Sequence, residues 1–408
     1  VSPIGTVRAK TLFREVVERG WDLPLASVTK DGGVELRADL DISVWNPGDD
    51  TSMYKRVLPG DFVIGLRSFQ NGIGSSRLTG LVSPAYTVLR PVAPVDHRYF
   101  HHYFKSGVFI SELANVAQGI RQGRTIGTED FYNLKLRVPA IAEQRAIAGF
   151  LDRETTRIDA LIAAKRRMIE LLDARFQVRG HRLLTGSAEA SADTWTPGPR
   201  WLGPVPRSWK PYKVASFLST GSGTTPASDR SDYYSEEGVP WVTTAELRET
   251  VITGSAKCVT EVALREHSAL KVFPPGTVLV AMYGATVGRV GVLGVHAAMN
   301  QACCAVTGDG LLSRSFLYWW LRLHRSDLLE MAYGSGQPNI SQDTIRSLRV
   351  PAPDLPTQEA IARKLSEEAD RNSEITSTLT RQTNLLVERR QALITAAVTS
   401  EIETEVAA

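Results

Sequence analysis

Two stretches of this chain repeat each other, and each has the pattern of a helix too long to stand alone. From Glu143 to Leu184 there is no Pro, and apolar residues recur at helical spacing: Ile147, Leu151, Ile158, Leu161, Ile162, Met168, Ile169, Leu172 and Phe176. Two seven-residue series run through it, Leu151–Ile158–Lys165–Leu172 and Ile162–Ile169–Phe176–Leu183. At 1.5 Å per residue, a helix of about forty residues is about 60 Å long. Such a helix buries its apolar face only against a partner of similar length.

The partner lies in the same chain. Leu136-Arg137-Val138-Pro139, a short gap and Gln144-Arg145-Ala146-Ile147-Ala148 return as Leu348-Arg349-Val350-Pro351, a gap and Gln358-Glu359-Ala360-Ile361-Ala362. The second helix then carries Leu365–Asn372–Leu379–Leu386–Leu393 at a strict seven-residue spacing. Asn372 stands where the first copy has Ile158. A single Asn in an apolar seam costs stability and fixes register. The expected pairing residues are Leu151, Ile158 and Leu172 against Leu365, Asn372, Leu379 and Leu386. The chain therefore reads as a tandem duplication. Its parts are a head over 1–142, a long helix over 143–184, a linker over 185–201, a second head over 202–356 and a second helix over 357–400. The fold class is α+β: two globular heads, each followed by a long helix, the helices pairing as an antiparallel coiled coil.

Within the heads the plan also repeats. Pro59-Gly60-Asp61 turns into an apolar strand through Phe62-Val63-Ile64, and Pro275-Gly276-Thr277 does so before Val278-Leu279-Val280. A Gly-rich polar tip is expected over 69–77 and another over 284–291, each followed by a returning strand. Single helices are expected over His97–Leu113 and Arg314–Met331. Trp319 and Trp320 fall in the apolar helical pattern and read as core. Polar loops follow at 119–133 and 334–341. The 185–201 linker is rich in Ser, Ala, Gly and Pro.

Composition is that of an ordinary globular protein, 43% hydrophobic and 22% charged. No run reaches the length of a membrane span and no signal peptide is evident, so a cytoplasmic location is expected. The chain opens on Val1 and is expected to lack its own start. The three cysteines, Cys258, Cys303 and Cys304, form neither a disulfide framework nor a zinc spacing. A net charge of +3 permits nucleic-acid binding without requiring it.

Catalytic motifs do not emerge. Gly221-Ser222-Gly223-Thr224-Thr225 lacks the Lys-Ser/Thr ending of a phosphate loop, and no G-x-G-x-x-G joins a strand to a helix. His97, His101 and His102 have no acidic or Cys ligand at a zinc-like interval. Asn46-Pro47-Gly48-Asp49 lacks the second Pro and the aromatic of an amino-methyltransferase motif. No nucleophile-elbow motif is present. What remains is two similar heads with Gly/Ser/Asn/Gln/Arg loops, which suits either DNA or two protein partners. Loop chemistry favours DNA, since Arg reads guanine, Asn and Gln read adenine, and Ser, Thr and Lys hold phosphates.

These residues resemble the specificity (S) subunit of type I restriction–modification systems. The resemblance rests on Trp201-Leu202-Gly203-Pro204-Val205-Pro206-Arg207-Ser208-Trp209 and on Pro59-Gly60-Asp61 with Val82-Ser83-Pro84-Ala85-Tyr86. It rests further on Gly284-Ala285-Thr286-Val287-Gly288 with Asn300-Gln301, and on the two Pro–Glu/Gln–Ala-Ile helix entries. One departure is that no Val-Pro-x-x-Trp opening precedes Lys10-Thr11-Leu12. The resemblance implies a non-catalytic subunit without cofactor, whose two target-recognition domains each read one half of a split double-stranded DNA target. The helices would set the gap and dock modification subunits, which carry S-adenosylmethionine and methylate adenine; a restriction motor-nuclease would join them. Candidate DNA-facing residues are Arg67, Gln70, Asn71, Arg77, Arg121, Gln122 and Arg124 in the first head. In the second they are Ser222, Thr224, Thr225, Tyr283, Arg289, Gln337 and Asn339. The rival expectations are a scaffold spacing two proteins and a recognition module serving a stand-alone methyltransferase.

Overall fold

The structure, a computed structural model, describes residues 5–29, 33–40, 50–66, 68–116, 126–187, 193–196, 202–330 and 339–401. They fall into two compact units, Val1–Arg167 with Leu379–Ala408, and Met168–Thr378. Each long helix is shared between the units. Ile141–Thr185 ends where Gly186 turns into the left-handed region at φ +67°. Leu355–Val398 starts where Asp354 accepts the Thr357 N–H, with Pro356 in its first turn.

In the first unit, Phe13–Val16, Thr87–Pro91, Phe62–Ile64 and Gly74–Ser75 form an antiparallel four-stranded sheet in that order. Phe13, Phe62, Phe100, Phe104, Phe109 and Phe131 fill the space between this sheet and the helices. Ile147, Ala148 and Leu151 from the first long helix close that core on one side, and Ile394, Ala397 and Val398 from the second long helix also enter it. In the second unit, Ser219–Ser222, Cys303–Thr307, Val278–Ala281, Val290–Leu293 and Val251–Ile252 make a five-stranded sheet whose last pair is parallel. Its core takes Phe176 and Leu184 from the first long helix, and Ala362 and Leu365 from the second. Each core is thus completed by both helices, which is why neither helix is amphipathic on a single uniform stripe.

The repeated Gln is the joint. Gln144, 1% exposed, accepts the Asp96 N–H at 2.8 Å and donates to the Pro139 carbonyl at 2.9 Å. Gln358, 0% exposed, accepts the Ser313 N–H at 2.8 Å and donates to the Leu311 and Pro353 carbonyls. Asp96 and Ser313 are in turn the N-caps of helices His97–Lys105 and Arg314–Leu323. One amide in each half therefore binds the long helix to the head that precedes it.

The repeated Pro-Gly turn is equally structural. Gly60 and Gly276 sit at φ +94° and +80°, where a side chain is strained. Asp61, 2% exposed, accepts the Leu58 N–H and both Nε and Nη2 of Arg90; Thr277 instead donates its hydroxyl to the Pro274 carbonyl.

The two long helices run antiparallel within each unit. In the first, Arg390 pairs with Asp159 at 3.1 Å and Lys165 donates to Gln382 at 2.6 Å. In the second, Arg179 pairs with Glu368 at 3.3 Å. Leu151, Ile158, Leu365 and Leu379 are buried, whereas Leu172, Asn372 and Leu386 are half-buried. Asn372 has a second polar residue one turn before it, the buried Glu368; Thr383, further along the same helix, and Thr155 of the other helix are also buried, in the first unit. The threonines satisfy themselves on the carbonyls of Leu379 and Leu151, one turn earlier.

Two local expectations are corrected. His97–Leu113 and Arg314–Met331 are each two helices, broken at Ser106 and at His324, because each chain must turn there to pack on a long-helix end. The expected polar tip over 69–77 is not a solvated loop. Ile73 is fully buried against the Phe core, Gly74–Ser75 is a strand, and a Cβ on Gly72 would lie 2.0 Å from the Phe104 carbonyl oxygen. Trp319 and Trp320 are core. Among the described residues no helix is long and apolar enough to cross a membrane.

Candidate nucleic-acid interface

In the second unit the sheet gathers polar residues at one of its ends. Strand Ser219–Ser222 finishes opposite Cys304, Val278–Ala281 finishes opposite Cys303, and Val290–Leu293 begins opposite Val280. Ser222, Thr224, Thr225, Tyr283 and Arg289, which flank those strand termini in sequence, therefore share one end of the sheet. The Asn300–Ala302 turn lies there as well.

Backbone contacts fix the cluster. Gly223 passes so close that a Cβ would meet the Met299 carbonyl oxygen at 1.9 Å, and Thr224 donates its N–H to that carbonyl at 3.0 Å. The Trp241 indole N–H donates to the Thr224 carbonyl at 3.1 Å. Tyr283 forms a β-bridge with Asn339, and Ile340 donates to the Met282 carbonyl at 2.7 Å. This last contact brings Asn339 to Tyr283 from more than fifty residues away. The Thr225 hydroxyl donates to the Gln301 side chain, and both residues are exposed. Tyr283 is 38% exposed, and partial burial raises its pKa, so it stays a neutral hydroxyl. Arg289 is half-buried and its carbonyl accepts the Ala281 N–H.

Gln301, Gln342 and Arg346 were not among the sequence-based candidates. Gln342 donates to the Thr220 hydroxyl at 2.9 Å, next to the exposed Arg346. The Asn300-Gln301 pair was visible as a motif, but its place beside Thr225 depends on a pairing that only the sheet register sets. Gln337 lies outside the described residues.

In the first unit Arg67, Arg121, Gln122 and Arg124 lie outside the described residues. Gln70 and Arg77 are exposed and Asn71 is half-buried. The Lys105 ammonium donates to the Asn71 carbonyl at 3.0 Å, and the Arg77 charge acts on His97, His101 and His102. A separate exposed feature went unread in the sequence. The Trp21 ring, 46% exposed, lies under the Arg56 guanidinium at 4.0 Å. Arg56 binds Glu18, Glu18 binds Arg90, and Arg90 binds Asp61. The Arg90 hydrogen bond, with Arg56, holds Glu18 below its usual range.

All three cysteines are buried, and burial pushes the Cys303 and Cys304 thiols up to about 12, which makes these two poor nucleophiles.

Residues 206–384, which contain most of this sheet-end cluster, match the type I restriction modification DNA specificity domain. The chain is 27% identical over 170 residues to the type I restriction enzyme MjaIX specificity subunit of Methanocaldococcus jannaschii, covering 40% of this chain and 39% of that one. It is 24% identical over 168 residues to the EcoR124I/EcoR124II specificity subunit of Escherichia coli, covering 40% and 41%. The matches thus span about two-fifths of the length of these curated relatives. In fold the chain is similar to a solved structure from work on complex assembly and conformational transition of the type I R-M system. There the TM-score is 0.69 at 17% identity, over 97% of this chain and 98% of that one. It is also similar to the HsdS subunit of Thermoanaerobacter tengcongensis, with a TM-score of 0.52 at 16% identity over 98% and 94%. With its duplicated heads and duplicated Gln joint, the chain is similar to type I restriction–modification DNA specificity subunits, in sequence over residues 206–384 and in fold over nearly its whole length.

Proposed function

We propose that this chain is the non-catalytic DNA-reading subunit of a cytoplasmic type I restriction–modification complex. In this reading 1–142 and 202–356 are two target-recognition domains, each taking one half of a bipartite duplex target. The helices over 143–184 and 357–400 set the gap. The observation that carries it is the sheet-end cluster, where Thr224, Thr225, Tyr283, Gln301 and Asn339 put hydroxyl and amide groups on one surface. Those groups match base edges and phosphates in duplex DNA. Gln70, Asn71 and Arg77, with Arg67, Arg121, Gln122 and Arg124, take the same role in the first head, and Ser222, Arg289 and Gln337 in the second.

Partner subunits supply the chemistry. A groove of about 660 Å³ runs along the first long helix in the second unit, between Leu171, Val178, Arg175, Arg179, Arg182 and Lys364. Leu171 and Val178 are 52% and 57% exposed, an apolar strip rimmed by cations that suits a modification subunit's helix. Those subunits would bring S-adenosylmethionine, and a restriction subunit would join the core.

The test is methylome sequencing of a host carrying the complete system. Changing Tyr283 and Asn339 together to Ala is expected to relax or abolish one half of the methylated motif and to leave the other half unchanged. Equal alteration of both halves would refute modular reading.

A further inference from the structure

The Gln joint fixes which residues of the two halves correspond, since Gln144 binds Asp96 as Gln358 binds Ser313. Counting on from these anchors, His102 corresponds to Trp319 and Arg390 to Phe176. In the second unit Phe176 and Trp319 are buried edge to face, 5.8 Å apart, and fill their site with hydrocarbon. In the first unit the same place is an open cavity of about 200 Å³, lined by Gln70, Asn71, His101, His102, Lys105 and Arg390 with Gln391 and two isoleucines beside them, and no carboxylate is among the described residues of its wall. The replacement of an aromatic plug by cations and amides is a change of chemistry, not of packing alone.

The groups behind the wall set what the cavity offers. Asp152 holds His102 Nε2 at 2.8 Å, and Asp159 lies 3.1 Å from Arg390 Nε. Arg390 Nε is buried and, despite that ion pair, makes no hydrogen bond. Ser75 meets His101 Nδ1 at 2.7 Å; with the hydroxyl donating, the ring proton is on Nε2, a neutral donor. Burial above all, with smaller contributions from His102, Lys105, Arg77 and His97, pushes the His101 pKa down to about 3, so the ring is neutral. Lys105 braces the wall through the Thr29 and Asn71 carbonyls, and Gln391 donates to the Lys105 carbonyl at 3.0 Å.

We propose that this cavity binds one phosphate-type oxyanion, held by Arg390, the Gln70 and Asn71 amides and the His101 N–H. A charged guanidinium with neutral N–H donors, and no acceptor-only group among the described wall residues, selects a tetrahedral oxyanion over a cation. The oxyanion is either a phosphodiester of bound DNA or free inorganic phosphate, and one set of measurements separates the two.

The full chain is melted in sodium chloride and in inorganic phosphate at matched ionic strength. A free-phosphate site gives the wild type a saturable rise in Tm of about 2 °C. Arg390→Phe, which installs the residue the other half already carries, keeps its Tm in chloride and loses the saturable rise. Gln70→Ala, at an exposed position, shifts the phosphate midpoint upward a few-fold. A DNA-phosphate site instead leaves the Tm flat and lowers the log–log salt slope of duplex binding by about one in Arg390→Met, measured with the modification subunits present. The proposal is overturned if phosphate acts equally on wild type and Arg390→Phe and the slope is unchanged. The phosphate arm uses no DNA, so failure of the DNA-reading function leaves it decisive.

Discussion

Gln358 makes three hydrogen bonds from a fully buried position, to Ser313, Leu311 and Pro353. Truncating it strands a backbone N–H and two carbonyls away from water, at about 1–3 kcal/mol for a buried unsatisfied group. Gln358→Ala is therefore expected to lower stability by about 3 kcal/mol, read as a reduced urea midpoint. Gln358→Glu restores the acceptor but not the donor, so it recovers only part of that loss. A loss under about 0.5 kcal/mol for the Ala variant would place the joint elsewhere. The importance of this residue was only half legible in the sequence. The Q-x-A-I-A repeat marked the position, but a Gln at a helix start reads as a solvated side chain until the head folds over it. Ile73 was misleading in the opposite direction. A lone Ile among Gly and Ser looks like a loop residue, and it is buried because the Phe core reaches it.

At the scale of elements, the break between helices Arg314–Leu323 and Arg325–Glu330 is held by a histidine pair. His181 Nδ1 and His324 Nε2 are 3.0 Å apart, and His324 Nδ1 lies 3.0 Å from the Trp320 carbonyl oxygen. The one consistent arrangement has neutral His324 donating to Trp320 and accepting from His181. Burial, with His181 adding to it, lowers the His324 pKa to about 4, and burial lowers His181 despite the nearby Asp327. A folded-state pKa below the unfolded value of about 6.5 means the unfolded chain binds more protons between those limits. Stability is then full above pH 6.5 and falls as the pH drops toward 4, by up to about 3 kcal/mol for this site. His101, lowered to about 3 in the first unit, acts in the same direction. Denaturant titrations of wild type and His324→Gln at pH 7, 6, 5 and 4 are expected to show a shallower acid loss in the variant, with the His101 share remaining. Parallel pH curves would remove the pair from the account. The helix itself was legible from its apolar spacing, but the break was not. Nothing local stops it; the turn exists because His324 must reach a residue 143 positions away.

At the scale of the whole chain, the duplication was readable because it is written in backbone-determining residues: the Pro-Gly turns, the Leu-Arg-Val-Pro strands and the seven-residue helix spacing. The candidate DNA-facing clusters were less so, since they are assembled from loop residues whose neighbours only the sheet register defines. This difference predicts how the two layers respond to change. If the long helices set the gap between half-sites, the gap is encoded in their length and not in any loop. Inserting a second copy of Ala160-Leu161-Ile162-Ala163 adds about 6 Å of helical rise and turns the C-terminal remainder of that helix by about 40°. Duplex DNA advances 3.4 Å per base pair along each strand, so the gap in the methylated motif is expected to lengthen by about one or two base pairs. The bases on either side should stay the same, because no residue of the sheet-end cluster or of the first head has moved in sequence context. The opposite helix must shift its seam by four residues at the insertion. Its polar positions Glu368, Asn372 and Thr383 make a new register costly, so a drop in methylation efficiency is also expected. Methylome sequencing reads both quantities at once. An active insertion variant with an unchanged gap would leave the helices as a docking surface alone.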